Sequence, residues 1–334
     1  MNKFVLLLLV ALVSCEIDMD SKILKGFQRF IKKYNKKYSS VNEYLARFEV
    51  FKMNFYQVLE TANEVLPYKN GITKFSDLTQ QEFARTYLNL NYDAMAVANF
   101  NPYIVKKVSN APDSFDWRAY GYVSAVKNQG SCGSCWAFAT VANLEGLYFK
   151  HTGVMEIMSE QMLVDCDTYD SACNGGLMEY SFSWIRDNGG IMRQSEYGYK
   201  GYKDNCHSDP SRYVNMRVTG YTKLGSSSST WSPVDEAEIK EFLYQTGPLA
   251  IALNANPLQT YSSGIINKSS SECSSSGINH AVTLVGYGKE NGVDYWIVKN
   301  SWGANWGEGG YFRMKRGSGV CGINCYITTA NVSF

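Results

Sequence analysis

The segment Gln129-Gly130-Ser131-Cys132-Gly133-Ser134-Cys135-Trp136 runs directly into a helical pattern. From Cys135 onward Ala137, Val141, Leu144 and Tyr148 recur at helical spacing, and Lys150-His151-Thr152-Gly153 supplies the cationic and glycine signals of a helix end. Cys135 is therefore expected in the first turn of a buried helix. Unpaired N–H groups and the positive end of the helix dipole stabilise a thiolate there, so its pKa is expected well below the free-thiol value of about 8.5. Cys135 reads as a nucleophile.

The spacing of Cys132 and Cys135 also admits a thioredoxin-like redox pair or half of a zinc knuckle. No second closely spaced Cys or His pair completes a zinc site, and the flanks lack the strand-then-helix context of a thioredoxin unit. Cys132-Gly-Ser-Cys-Trp136 instead matches the signature around the papain and cathepsin nucleophile. With the motifs described below, the chain resembles papain-family cysteine protease precursors of the cathepsin L-like type over nearly its whole length. The resemblance implies an α+β, papain-like fold of two domains, one helical and one β-barrel-like with a cleft between them, preceded by a helical propeptide.

With 334 residues the chain has room for two or so domains. Its 32 basic and 31 acidic residues leave a net charge of +1, which gives no reason to expect nucleic acid or an anionic membrane as partner. No cofactor and no metal is expected. Nine cysteines fit an oxidising compartment. Asn2-Lys3, the apolar run Phe4 to Val13 and Ser14-Cys15-Glu16 read as a cleaved signal peptide over residues 1–15. An uncleaved anchor is the competing reading, but the run is too short to span a bilayer. The expected destination is the secretory pathway, then a lysosome, a vacuole or the extracellular space.

Residues 22–64 read as two helices separated at Ser39-Ser40, the second with Phe48, Phe51, Phe55, Val58, Ala62 and Val65 along one stripe. Glu43, Arg47, Phe51, Asn54 and Val58 stand at the spacing of the cathepsin L-like propeptide motif, with Ala62 replacing its closing Asn. Gly71, Phe75 and Asp77 match the second propeptide signature, with Thr73 where Asn is usual. By resemblance, residues 16–110 form an inhibitory propeptide that crosses the cleft in the non-productive direction. Protonation of carboxylates such as Asp77 is expected to weaken its binding in acid. Residues 86–112 lose helical pattern and suit an accessible linker cut near Asn110, leaving residues 111–334 as the peptidase domain.

After the nucleophile helix, Met158 to Val164 and Met178 to Ile185 continue a mostly helical half. Leu249 to Leu253, Ala281 to Tyr287, Asp294 to Val298 and Tyr311 to Met314 are short β-prone runs, and Ser226 to Ser229 and Ser269 to Ser276 read as surface loops. A hairpin closing symmetrically around a five-residue turn, Gly288 to Gly292, would pair Tyr287 with Val293 and set His280 opposite Asn300. Asn300 could then accept from one imidazole nitrogen and leave the other for Cys135. A structural His beside a capped strand end is the bland reading. Of the other two His, His151 lies at a helix end and His207 beside a cysteine-bearing loop. His280 follows Cys135 by 145 residues, within the roughly 130–150 of papain-like enzymes, and Asn300 lies somewhat beyond that range.

The resemblance supplies the remaining roles. The Gln129 side chain, with the Cys135 backbone N–H, would form the oxyanion hole, and Trp302 would cover the His280–Asn300 bond. The implied disulfides are Cys132–Cys173, Cys166–Cys206 and Cys273–Cys321, each plausibly worth about 3–4 kcal/mol. Cys325 is left over, as a buried thiol or as a change to the last bridge. Gly175 and Gly176 would pair with the substrate main chain, near Asn279. Leu177, Met178, Ala252, Ile278 and Tyr326 would line an S2 pocket with no acid at its floor, favouring apolar or aromatic P2 residues. Asn267 and Asn331 head glycosylation sequons. Expected partners are protein and peptide substrates, the chain's own propeptide and cystatin-like inhibitors, with the enzyme a monomer. A transglutaminase or other acyltransferase shares the chemistry but would not explain the prosegment motifs. A non-catalytic binding protein would not need the complete Cys-His-Asn set.

Overall fold

The structure, a computed structural model, describes residues 3–62, 64–90, 102–103, 111–224 and 233–334. Asn110 and the Ser226 to Ser229 stretch lie outside these residues. Among the described residues, no helix is long and apolar enough to cross a membrane.

Two crossing helices, α1 (Lys3–Tyr34) and α2 (Val41–Ala62), open the chain. Phe27, Phe30 and Phe51 are buried between them, with Phe48 and Phe55 packed alongside. The polar motif residues tie this pair to the segment that follows. Glu43 accepts from the Ser39 N–H and hydroxyl, Arg47 pairs with Glu82 at 2.8 Å, and Asn54 Nδ2 donates to the carbonyls of Ser76 and Leu78, both at 2.9 Å. Asp77 is buried and accepts from Lys36 Nζ at 2.7 Å and Tyr38 Oη at 3.0 Å.

The N-terminal segment then docks. Strand β1 (Tyr68–Asn70) pairs antiparallel with β6 (Tyr261–Ile266). Gly264, at φ +89°, permits this approach, because a Cβ there would stand 2.5 Å from the Pro67 carbonyl oxygen. Thr73 Oγ1 donates to the Gln259 carbonyl at 2.5 Å, and Gln259 Nε2 returns a bond to the Leu78 carbonyl at 2.8 Å. Helix α3 (Gln80–Tyr87) follows, started by a reciprocal capping box between Thr79 and Glu82. The linker expected from residue 86 therefore begins later. The helix holds Tyr87, and Leu88 and Leu90 are buried.

The remaining helices are α4 (Cys135–Thr152), α5 (Glu160–Cys166), α6 (Met178–Asn188) and α7 (Glu236–Thr246). The remaining strands are β2 (Pro102–Tyr103), β3 (Phe115–Asp116), β4 (Arg217–Leu224), β5 (Leu249–Leu253), β7 (His280–Glu290), β8 (Val293–Lys299), β9 (Tyr311–Lys315) and β10 (Tyr326–Ser333). The sheet order is β1-β6-β9-β8-β7-β5-β10-β4-β2, with β3 added to β7. The sheet is an open path, so the barrel-like half is curved without being closed into a barrel.

Strand β5 separates the two cores by its two-residue period. Leu249, Ile251 and Leu253 face the sheet-side core, whereas Ala250 and Ala252 face the helical core. The small side chains on the second face leave room for α4, which lies across β5 and β7.

The hairpin register differs from the symmetric expectation. Asn291 and Gly292, at φ +49° and +81°, make a tight turn of left-handed residues. Glu290 therefore pairs with Val293, and an irregularity between Leu284 and Gly286 shifts the pairing so that Thr283 meets Lys299. His280 is not directly opposite Asn300; continuing that pairing brings it toward Trp302. The three expected disulfides are present, and Cys325 is a buried free thiol. Because Cys132 is bonded to Cys173, it cannot form a redox pair with Cys135.

Asp77 anchors Lys36 and Tyr38 to the docking segment, so Asp77→Asn, which removes the ion pair with Lys36, should loosen that segment and speed autoprocessing. The rate of autoprocessing at a fixed pH checks this; a rate identical to that of the unaltered chain would contradict it.

Candidate active site

Cys135 is the first residue of α4, whose N-terminus lies against β7. Its sulfur is fully buried and faces the backbone amide of Ala281, the residue after His280. His280 Nε2 is 2.9 Å from Asn300 Oδ1, although the register is not the expected one. A side chain two positions off the direct partner remains within reach across an antiparallel pair. Asn300 Oδ1 also accepts the Ser301 N–H at 2.8 Å, which orients the amide. His280 Nδ1 is buried without a hydrogen-bond partner. Trp302 stacks on the imidazole, ring centroids 4.8 Å apart. The other histidines pack elsewhere, His151 against Phe334 and His207 against Tyr197.

Gln129 is held from three sides. Its Oε1 accepts from Ser301 Oγ at 2.6 Å. Its Nε2 donates to the Cys132 carbonyl at 3.0 Å and, more weakly at 3.4 Å, to the Tyr87 carbonyl of the N-terminal segment. Its backbone carbonyl accepts from Tyr199 Oη at 2.8 Å. Ser301 and Tyr199 were not singled out from the sequence, and neither carries a local signal that would have revealed it.

The N-terminal segment fills the cleft. Phe75 and Phe83 meet Trp302 edge-on at 5.0 and 5.4 Å. Lys74 Nζ donates to the Trp302 carbonyl at 2.9 Å. Leu90 forms a parallel bridge with Gly176, and its N–H donates to the Asn279 carbonyl at 3.1 Å. The Leu90 side chain joins the buried cluster that contains Leu177, Met178, Ala252, Ile278 and Tyr326. Gly175 and Gly176 are buried beside it.

Burial reverses the pKa expected from the helix terminus. Burial pushes the Cys135 thiol up to about 11, outweighing the backbone N–H groups of Ala281 and Trp136 that favour the thiolate. Burial likewise pulls the His280 imidazole down to about 4, against the opposing pull of Asn300. In the closed chain both groups are neutral. Behind them, Lys127 pairs with Glu145 at 2.8 Å and Glu160 at 2.6 Å. Ser124 donates to Glu145 and accepts from Lys299 Nζ at 2.8 Å, linking the helical half to β8, whose last residue precedes Asn300.

The chain is similar to known proteins along nearly all its length. Residues 111–331 match the papain family cysteine protease domain, and residues 27–83 match the cathepsin propeptide inhibitor domain. Cysteine proteinase 15A of Pisum sativum is 40% identical over 321 residues, covering 91% of this chain and 85% of that protein. The viral cathepsin of Choristoneura fumiferana nuclear polyhedrosis virus is 38% identical over 327 residues, covering 97% of each. Among solved structures, digestive procathepsin L 3 of Tenebrio molitor larval midgut superposes with a TM-score of 0.82 at 34% identity, covering 92% of this chain and 98% of that one. A buried cysteine at a helix terminus, a histidine held by an asparagine and a cleft crossed by the chain's own N-terminal segment thus occur together in a sequence matched by both domains of such precursors. The chain belongs to the papain family of cysteine proteases, as a zymogen carrying its own inhibitory propeptide.

Proposed function

We propose that this zymogen yields an endopeptidase in which Cys135 is the nucleophile, His280 the acid and base, Asn300 the group that orients His280, and Gln129 an oxyanion donor. The observation that carries this reading is the buried imidazole of His280, fixed at Nε2 by Asn300 and left unpartnered at Nδ1, next to the residue whose amide faces the Cys135 sulfur. Release of the propeptide readmits water and removes the desolvation that keeps both groups neutral. The thiol proton then passes to His280, and the N-terminus of α4 favours the thiolate.

The thiolate attacks the peptide carbonyl carbon, forming a C–S bond. The oxyanion is received by Gln129 Nε2–H and the Cys135 N–H. His280 imidazolium protonates the departing amine as the C–N bond breaks. Water then attacks the thioester with His280 as base, which releases the acid and restores the thiol. Inhibition uses the same elements. The Tyr87 carbonyl lies against Gln129, and Leu90 sits in the apolar pocket while running parallel to Gly176.

That pocket supports a preference for apolar P2 residues. Glu179 lies near its floor but is paired with Lys223 at 3.5 Å, and Lys223 in turn lies over the Tyr326 ring at 4.8 Å. The site is completed by one chain, which suits a monomer, and an open cleft suits cystatin-like inhibitors. The apolar N-terminal run, the three disulfides and the exposed Asn267 and Asn331 support passage through the secretory pathway to a lysosome, a vacuole or the exterior, with glycans at those sequons.

Cys135→Ala should abolish peptide turnover, Asn300→Ala should lower kcat in a folded protein, and Gln129→Ala should lower kcat by about 10²–10³; steady-state kinetics with circular dichroism checks this, and full activity in Cys135→Ala would refute the assignment. Carboxymethylation of Cys135 in the intact proenzyme should be slow below about pH 8 and accelerate toward pH 11, with a far lower midpoint after processing. A fast reaction at pH 6 before processing would contradict the burial argument. An unbiased peptide library should select Leu, Val or aromatic residues at P2; selection of Arg would show that Tyr326 does not close the pocket.

A further inference from the structure

The segment Gly175 to Leu177, which on the proposed reading receives the substrate main chain, is held from behind by the Asp170 carboxyl. Asp170 Oδ1 accepts the Leu177 N–H at 2.7 Å, and Oδ2 accepts from Ser181 Oγ at 3.1 Å. A Cβ on Gly176 would stand 2.5 Å from Asp170 Oδ1, so this carboxyl lies directly against the back of the glycine whose other face meets Leu90. Asp167 is buried beside it and uses Oδ1 to accept the Tyr169 N–H at 2.7 Å and the Asp170 N–H at 3.3 Å. Asp167 Oδ2 is buried and receives no donor among the described residues. Because Asp167 accepts the Asp170 backbone N–H, the buried Asp167 carboxyl and that of Asp170 lie within one turn, where the charge of one raises the cost of ionising the other.

We propose that Asp170 is a positioning residue for substrate binding. Its carboxyl shares a proton with Asp167 and thereby holds Gly176 and Leu177 in place to pair with the peptide backbone. When both carboxyls ionise, their repulsion loosens that segment.

Among the described residues, the charged groups on the neighbouring helices already have partners of their own. On α6, Glu179 is paired with Lys223, and Arg186 with Asp187, which also accepts from Tyr169 Oη. On α5, Asp165 is occupied by Gln161, Tyr197 and the Asp204 N–H. Burial and the neighbouring Asp167 keep Asp170 well above the ordinary carboxyl range, and burial lifts Asp167 to about 6. The pair therefore retains a proton in acid and loses it as pH rises toward and beyond neutrality. The consequence is a Michaelis constant that increases with pH, while the Cys135–His280 chemistry is untouched.

The inference rests on Gly175 and Gly176 pairing with substrate in a working protease, and the test separates the two. The unaltered chain, Asp170→Ala and Asp170→Asn are expressed in full, processed and assayed on one peptide substrate between about pH 5 and pH 7.5. Asp170→Ala is expected to raise KM about tenfold at pH 5 with kcat within about twofold. Asp170→Asn, whose amide oxygen can still accept from Leu177 and whose NH₂ can still donate to Asp167, is expected to keep the low KM and flatten its rise with pH. Equal losses in kcat for both variants, or an unchanged KM–pH profile in Asp170→Asn, would overturn the role of Asp170 while leaving the protease assignment intact. An unaltered chain that cleaves no peptide would overturn both.

Discussion

The docking of the α4 N-terminus onto β7 is the contact on which the rest of the molecule depends. It sets a sulfur from the helical half against the backbone beside an imidazole from the sheet half. Neither half carries the proposed Cys135–His280 pair alone. The alternation of β5 makes the approach possible, because Ala250 and Ala252 keep the helix-facing side of the central strands shallow. The Lys127–Glu145–Glu160 cluster, joined through Ser124 to Lys299, ties the halves together behind the site. Such a buried network resists disruption mainly because losing one member strands its partner without compensation.

On the proposed reading, inhibition in this zymogen combines occlusion with burial of the reactive groups. The propeptide sets Tyr87 and Leu90 against Gln129 and Gly176, while burial favours the neutral forms of Cys135 and His280. A helix dipole can lower a thiol pKa only to the extent that the surrounding dielectric lets the charge exist. In that reading, one docking event would both block access and suppress reactivity.

Much of this was legible in the sequence, for identifiable reasons. The helix after Cys135 announces itself by periodicity and by its Gly153 terminus. The partnership of His280 and Asn300 was reached through a wrong register. Asn291-Gly292 is the strongest hairpin signal in that stretch and fixes a tight turn, while an irregularity near Val285 returns the ladder by one residue. Side-chain reach made the conclusion survive. Helix α3 has a local start signal in the Thr79–Glu82 capping box. The burial of Leu88 and Leu90 was not readable, because the surfaces that cover them come from residues 176 and 279, far along the chain. The raised thiol pKa was hidden for the same reason, since propensity is local and burial is global. The Asp167–Asp170 pair resembled an ordinary polar loop until its backbone partners were visible.

The most direct measurement is site-mapped labelling by a thiol-directed, peptide-like epoxide, applied to the intact zymogen and to the processed enzyme and read by peptide mass spectrometry. The structure predicts a single adduct on Cys135 that forms only after the propeptide has gone, with Cys325 unlabelled in both states. Equal labelling of Cys135 in the intact zymogen, or an adduct on Cys325 in its place, would contradict the claim that burial keeps this thiol dormant and that release of the propeptide makes it the nucleophile.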